Sequence, residues 1–170
     1  MLNDLPTFID PLHLAKQGSS LQGSLAVAQM SRLHQSLCEV QGEVYIDWQF
    51  QTEQQWATIT GSIQTQLHML CQRCLQPVGW SIHARVALVA LPHGHSEEDL
   101  PEGFEVLTLT SHPIPLLTLV EDELILALPI VVRHSVCPSN EYQVTNTTTS
   151  EPAESYRPFQ VLSQWKKQNT

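Results

Sequence analysis

The sequence is organised around residues 59–88, which read ITGSIQTQLHMLCQRCLQPVGWSIHARVAL. Apolar and polar residues alternate on both sides of the central CQRC with a period of two, which is the side-chain period of a β-strand. The apolar positions include Ile59, Ile63, Leu67 and Met69 before the CQRC, and Val78, Trp80, Ile82, Val86 and Leu88 after it. This pattern predicts two antiparallel strands joined by a tight turn that carries Cys71 and Cys74.

Neighbouring segments extend this hairpin into a larger domain. Residues 44–50 alternate in the same way and predict a third strand, while residues 19–27 and 104–109 are shorter strand candidates. Apolar residues at 116, 117, 120, 124 and 128 share one face of a predicted helix that Pro129 ends. We therefore predict an α+β fold, in which an antiparallel sheet or partial β-barrel at about 40–109 has one covering amphipathic helix and small terminal helices.

The remaining segments complete the predicted domain plan. Asp10 and Pro11 predict a short helix with Asp as its N-cap, and residues 28–37 predict another short helix. Beyond Arg133 the composition becomes rich in Ser, Thr, Asn, Glu and Pro. We predict a single domain over 1–135, a flexible linker over 136–157 and a short C-terminal helix over 158–170.

Charge and hydropathy exclude several classes of function. The chain has 170 residues and a formal net charge of −9, with 17 acidic residues against 8 Lys plus Arg. This balance disfavours a broad basic face for phosphate binding. The N-terminus lacks a basic segment followed by an apolar run, and acidic residues and prolines interrupt the most apolar stretch, at 116–132. We expect a cytoplasmic protein with no membrane contact.

The CxxC turn admits three interpretations. With His134 and Cys137, which are spaced HxxC, Cys71 and Cys74 make a Cys3His set for zinc. A redox pair should instead begin a helix after a parallel strand, and the strand–turn–strand setting argues against it. The third interpretation is a structural or partner-contact turn without a metal. We expect no cofactor, and keep zinc as the alternative.

Other chemistry-bearing patterns are weak. The sequence contains no P-loop, dinucleotide fingerprint, nucleophile elbow or HExxH motif, so we predict a protein without catalytic activity or a small-molecule substrate. Glu121, Asp122 and Glu123 are consecutive on the predicted helix and cannot converge on one ion. They predict a solvated face, or an acidic surface for a basic protein.

Two motifs together resemble the YceD-type family, the large ribosomal RNA subunit accumulation proteins. They are LCQRCL at 70–75, with Pro77 close behind, and LVEDELILALP at 119–129. The segments Ile9-Asp10-Pro11 and PFQVL at 158–162 are also similar to members of the family. The resemblance implies a bacterial factor in ribosome biogenesis without defined catalytic residues.

The resemblance leaves the partner open. We expect a ribosomal or assembly protein, or a pre-ribosomal particle that contains large-subunit rRNA. The alternatives are direct rRNA binding and, less favoured, an rRNA-processing enzyme. The residues predicted to contact a partner or RNA are Arg73, Arg85, Glu121 and Asp122.

Overall fold

The computed structural model describes residues 5–94, 100–110 and 113–138 of the chain. Five strands form one sheet in the order β2-β3-β4-β5-β6, with β2 at Ser20–Ala26, β3 at Glu43–Glu53, β4 at Trp56–Leu70, β5 at Pro77–Pro92 and β6 at Glu105–Leu109. A separate two-stranded sheet pairs β1 (Phe8–Ile9) with β7 (Ile114–Pro115). Within these ranges, two α-helices, α1 (Pro11–Gln17) and α2 (Leu116–Ala127), complete the α+β fold that the sequence predicts.

The β4–β5 hairpin is the longest element of the sheet. Its register runs from Ala57 opposite Ala90 to Leu70 opposite Pro77, directly before and after the CxxC turn. One face of the three central strands is buried, as the period-two pattern predicts. Its core residues include Val44, Ile46, Trp48 and Phe50 of β3, Ile59, Ile63 and Leu67 of β4, and Ile82, Val86 and Leu88 of β5.

A glycine permits the close approach of β3 and β4. Gly61 lies opposite Trp48, and a Cβ atom at this position would collide with the carbonyl oxygen of Asp47. Its φ of +154° is also one that residues with a side chain rarely adopt. This position of the strand is therefore restricted to glycine.

The sheet is open and mixed, which settles the choice left by the sequence between a sheet and a partial barrel. β6 pairs with β5 in the parallel direction, with Leu88 opposite Glu105. The predicted antiparallel pairing is confirmed for β2 to β5, and the direction of β6 is the exception. Parallel neighbours need a longer connection than a hairpin turn, and the acidic segment between Pro92 and Glu105 supplies it.

Both α-helices begin and end where the sequence indicates. The Asp10 carboxylate accepts hydrogen bonds from the N–H groups of Leu12 and His13, Pro11 is the first residue of α1, and Gly18 ends it in a left-handed conformation. In α2, Leu116, Leu119, Val120 and Leu124 are buried against the sheet. Leu128 leaves the helical conformation directly before Pro129.

The helix predicted over 28–37 was wrong. Two short 3₁₀ turns, Val27–Gln29 and Leu33–Ser36, occupy this segment. The backbone N–H groups of Arg32 and Leu33 donate to the Glu121 carboxylate at 2.7 and 3.0 Å. An α-helix would need those two N–H groups for carbonyls four residues earlier, so the contact with α2 interrupts it.

The chain divides into two units, Met1–Ser139 and Asn140–Thr170, and the second lies outside the described residues. The predicted linker at 136–157 lies almost entirely there, as does the predicted helix at 158–170, and both stay predictions. Neither α1 nor α2 has the length and hydropathy that crossing a bilayer requires.

Candidate metal centre

The CxxC turn closes the β4–β5 hairpin through its own backbone. The Cys71 N–H donates to the carbonyl of Gln76, and the Leu75 N–H donates to the carbonyl of Cys71, both at 2.9 Å. Leu75 has a φ of +59°, an unusual conformation for a residue with a branched side chain. This turn buries Cys71 and Cys74, whose exposed fractions are 0% and 7%. Its strand–turn–strand setting is the one that the sequence predicts.

The segment after α2 returns to the turn. The Gln72 backbone N–H donates to the carbonyl of Val132 at 2.9 Å, and its side-chain amide donates to the carbonyl of Ile130 at 3.2 Å. Val132 is buried, which anchors the segment against the domain. Because this segment is held at residues 130 and 132, His134 and Cys137 lie over the turn.

The four residues of the HxxC and CxxC pairs converge. One ligand atom from each of Cys71, Cys74, His134 and Cys137 lies within 4.8 Å of the other three. The Sγ atoms of Cys71 and Cys137 are 3.8 Å apart, and Cys74 Sγ is 3.4 Å from His134 Nδ1. We call these four residues the knuckle cluster, and they are able to hold a metal ion.

Two ligand–ligand distances in the knuckle cluster can be compared with those of a tetrahedral zinc site. Zn–S bonds of about 2.3 Å at tetrahedral angles place two sulfurs about 3.8 Å apart. With a Zn–N bond of about 2.05 Å, a sulfur and a nitrogen lie about 3.6 Å apart. The Cys71–Cys137 distance of 3.8 Å and the Cys74–His134 distance of 3.4 Å are close to these values.

His134 is oriented as a metal ligand. Its Nε2 lies 3.1 Å from the carbonyl oxygen of Pro77, which can only accept a hydrogen bond. In the neutral ring Nε2 therefore carries the proton, and the lone pair of Nδ1 faces the cysteines. A backbone carbonyl that fixes the tautomer in this way is the usual outer partner of a zinc-bound histidine.

Hydrogen bonds from neighbouring backbone N–H groups also favour the thiolate form of Cys71. Burial raises the pKa of Cys71, but backbone N–H groups of Cys74, His134 and Arg73 more than offset it and lower the pKa from 9.0 to about 5. Burial raises the pKa of Cys74, and the neighbouring thiols of Cys137 and Cys71 raise it further. The cluster therefore favours one thiolate on its own, and a bound cation would stabilise the others.

The same geometry disfavours a redox CxxC pair, and also a nucleophile–base pair formed by Cys74 and His134. All four cysteines of the chain are free, and a redox CxxC pair would begin a helix rather than join two strands. Cys74 and His134 do form a thiol–imidazole contact, as a cysteine nucleophile and its base would. However, Cys74 is buried and its pKa is raised, which is the wrong direction for a nucleophile.

Of the four predicted contact residues, Arg73 and Arg85 differ in their surroundings. Arg73 lies over the knuckle cluster, and its Nε donates to Cys137 Sγ at 2.9 Å. Arg85 lies opposite Ser62 on the exposed face of the sheet. It makes no hydrogen bond or ion pair to another residue within the described ranges.

Glu121 and Asp122 lie on the side of α2 that faces the 3₁₀ turns. The expectation of a solvated face was wrong for Glu121, whose exposed fraction is 5%. Its carboxylate accepts from Arg32 Nε at 2.9 Å in addition to the two backbone N–H groups, and Asp122 accepts from Arg32 Nη1 at 2.6 Å. We call Arg32, Glu121 and Asp122 the clamp. The hydrogen bonds from the backbone and from Arg32 hold the pKa of Glu121 below its ordinary value against the effect of burial.

Sequence reasoning missed Arg32 as the partner of this acidic pair. Its separation of 89 residues from Glu121 leaves no local signal. One weaker signal was present, because Glu121 lies next to the buried Val120 in a run of apolar residues. A carboxylate in such a run requires a partner when it is buried.

Comparison with known proteins agrees with the two motifs. Residues 59–166 match the family model described as "Large ribosomal RNA subunit accumulation protein YceD". A protein of that name from Haemophilus influenzae is 31% identical over 168 residues, which cover 96% of this chain and 97% of the relative. No solved structure was found to match the chain. The chain therefore belongs to the YceD family.

Proposed function

We propose that this protein is a non-enzymatic, cytoplasmic ribosome biogenesis factor required for the accumulation of large-subunit rRNA. The observation that carries the proposal is the 31% identity, over nearly the whole of both chains, to a protein named for that role. It acts through a protein or ribonucleoprotein partner.

The ion proposed for the knuckle cluster is zinc, in a structural role. Three thiols and one imidazole suit Zn²⁺, and the distances support four-coordinate binding. All four positions would be filled by protein side chains, which leaves no open position for water or substrate. A closed site of this kind supports a function in assembly rather than catalysis.

The surface around the turn supports a protein partner over direct RNA binding. Aliphatic side chains are exposed both in the turn and in the returning segment, with exposed fractions of 63% for Leu75, 95% for Ile130 and 82% for Val136. Exposed aliphatic groups suit a protein surface, whereas a phosphate backbone is bound by clustered Lys and Arg. The net charge of −9 supports the same choice.

Polar contacts with the partner are assigned to Arg85 and Asp122. Arg85 projects from the exposed face of the sheet, and Asp122 is half-exposed at the edge of the clamp. Glu121 is buried, and Arg73 bonds to two residues of the knuckle cluster, so we assign both an indirect part in such contacts, through the shape of the surface.

The test is complementation of a Haemophilus influenzae strain that lacks its own relative. We expect a reduced ratio of large- to small-subunit rRNA in that strain, and restoration when this chain is expressed. Restoration by the Cys137→Ser variant as complete as by wild type would separate the function from the metal centre. Failure of the wild-type chain to restore the ratio, when it is expressed as a folded protein, would refute the proposed function.

Affinity capture from lysate with and without RNase identifies the kind of partner. A protein retained after RNase treatment supports the proposal. Partners lost on RNase treatment, together with steeply salt-dependent RNA binding by the purified chain, would assign direct rRNA binding instead. Turnover of precursor rRNA by a clean preparation would show an enzyme.

A further inference from the structure

We propose that Arg73 is a positioning residue of the metal centre, whose guanidinium fixes the Cys137 thiolate and the His134 backbone against the CxxC turn. The inference rests on the zinc site proposed above and deepens it. It gives a role to the one charged residue of the turn, which sequence alone presents as a surface contact.

The geometry gives Arg73 two acceptors in the returning segment. Its Nε donates to Cys137 Sγ at 2.9 Å, and its Nη2 donates to the carbonyl oxygen of His134 at 3.2 Å. These acceptors belong to the two ligands of the HxxC pair, while Arg73 itself lies between the two ligands of the CxxC pair. One planar, rigid group thus connects the two halves of the site.

Charge gives a second reason for an arginine at this position. Three thiolates and a neutral imidazole around Zn²⁺ leave one excess negative charge. The guanidinium of Arg73 lies at hydrogen-bond distance from Cys137 and is placed to neutralise that charge. An N–H···S bond also withdraws electron density from the sulfur, which makes a bound thiolate less reactive toward acids and electrophiles.

The neighbouring Gln72 provides a matched comparison. It holds the same returning segment, through the carbonyl groups of Ile130 and Val132, but donates to neither sulfur nor His134. Loss of its side chain should loosen the segment without changing the electronic state of Cys137. Lysine at position 73 would keep the positive charge but lacks the planar guanidinium, whose separate N–H groups reach both acceptors.

The experiment uses the full-length protein loaded with one equivalent of Zn²⁺ or Co²⁺, as wild type and as Arg73→Ala, Arg73→Lys and Gln72→Ala. Two quantities are measured, namely the affinity for zinc against a chromophoric chelator and the energy of the sulfur-to-cobalt charge-transfer band. We expect Arg73→Ala to lose about 10- to 100-fold in affinity, as outer-shell substitutions do. We also expect its charge-transfer band to shift to lower energy.

The two controls separate charge, geometry and simple loosening of the turn. Arg73→Lys should fall between Arg73→Ala and wild type, and Gln72→Ala should keep the wild-type band. Wild-type affinity and an unshifted band in Arg73→Ala would overturn the role of Arg73 while leaving the zinc site in place. Equal effects of Arg73→Ala and Gln72→Ala would also overturn it. If wild type binds neither metal, the zinc site itself is refuted.

Discussion

The clamp and the knuckle cluster are two partly buried polar groups that hold distant segments together by different chemistry. Each fixes segments that are distant in sequence, Arg32 to Glu121 in the clamp and Cys71 to Cys137 in the knuckle cluster. In the clamp, opposite charges meet and backbone N–H groups complete the set of hydrogen bonds. In the knuckle cluster, three thiols face one imidazole.

This difference is the basis for proposing a ligand for the knuckle cluster and none for the clamp. A buried carboxylate with an arginine and two N–H donors is satisfied within the chain. Three adjacent thiols can ionise together only when a cation is among them. The contribution of the clamp to stability should therefore not depend on metal. The contribution of the knuckle cluster should depend on whether a metal is bound.

The largest expected effect comes from removing the metal. A ligand that binds only the folded state at 1,000 times its dissociation constant adds about 4 kcal/mol to the free energy of unfolding. We therefore expect chelation of zinc to lower the denaturant midpoint of wild type by an amount that corresponds to several kcal/mol. The Cys137→Ser variant should start near the chelated value and should not respond to chelator. A denaturant midpoint of wild type that changes with neither zinc nor chelator would contradict this expectation.

A single substitution in the clamp should lower the free energy of unfolding equally with and without metal. Glu121→Gln removes the charge that balances Arg32 and weakens hydrogen bonds to two backbone N–H groups. We expect a loss of about 2 kcal/mol in the free energy of unfolding, the same with and without zinc. Asp122→Asn is the matched control, because its side chain is half-exposed, and should cost less than about 1 kcal/mol.

The pH dependence of the Glu121 effect has a definite sign. The pKa of Glu121 is below its ordinary value of 4.5 in the folded state, so the unfolded state binds the proton more readily. The stabilisation is complete above 4.5 and is lost as the pH falls through the pKa of the folded state. The free energies of unfolding of wild type and Glu121→Gln should therefore become equal in acid. A difference in stability that is constant with pH would show that the charge of Glu121 contributes nothing.

The smallest expected effect concerns strain in the CxxC turn. Leu75 adopts a left-handed conformation with a φ of +59°, which costs about 1–2 kcal/mol for most residues and less for asparagine. Since Leu75 is exposed, Leu75→Asn removes little buried apolar area. We expect the free energy of unfolding, measured by heat or denaturant, to rise by about 0.5–1 kcal/mol, with zinc content unchanged. A loss of stability would show that the leucine side chain packs against another part of the chain.

The central sheet could be predicted because its signal is local. The alternation at residues 44–50, 59–69 and 78–88 fixes both the strands and their buried face, and Asp10, Pro11 and Pro129 mark where helices begin or end. The parallel pairing of β6 could not be predicted, since a five-residue strand carries no information about the direction of its neighbour. The helix expected at 28–37 failed because a carboxylate from α2 takes its N–H groups.

For the candidate site, too, local sequence patterns identify residues but not the contacts between residues that are distant in sequence. The CxxC and HxxC spacings identify all four residues of the knuckle cluster, but spacing alone does not bring the pairs together. Their convergence depends on Pro129, which ends α2, and on Gln72, which holds the returning segment by its backbone. The burial of Glu121 likewise depends on Arg32, which lies 89 residues away in sequence.

The most direct test of the central claim is the zinc content of the full-length protein purified without chelator. We predict about one zinc per chain by elemental analysis for wild type, and loss of that zinc in the Cys137→Ser variant, with the far-ultraviolet circular dichroism of the sheet retained. Less than about a tenth of an equivalent in wild type, after exposure to zinc during refolding or growth, would contradict the claim that the knuckle cluster is a metal centre.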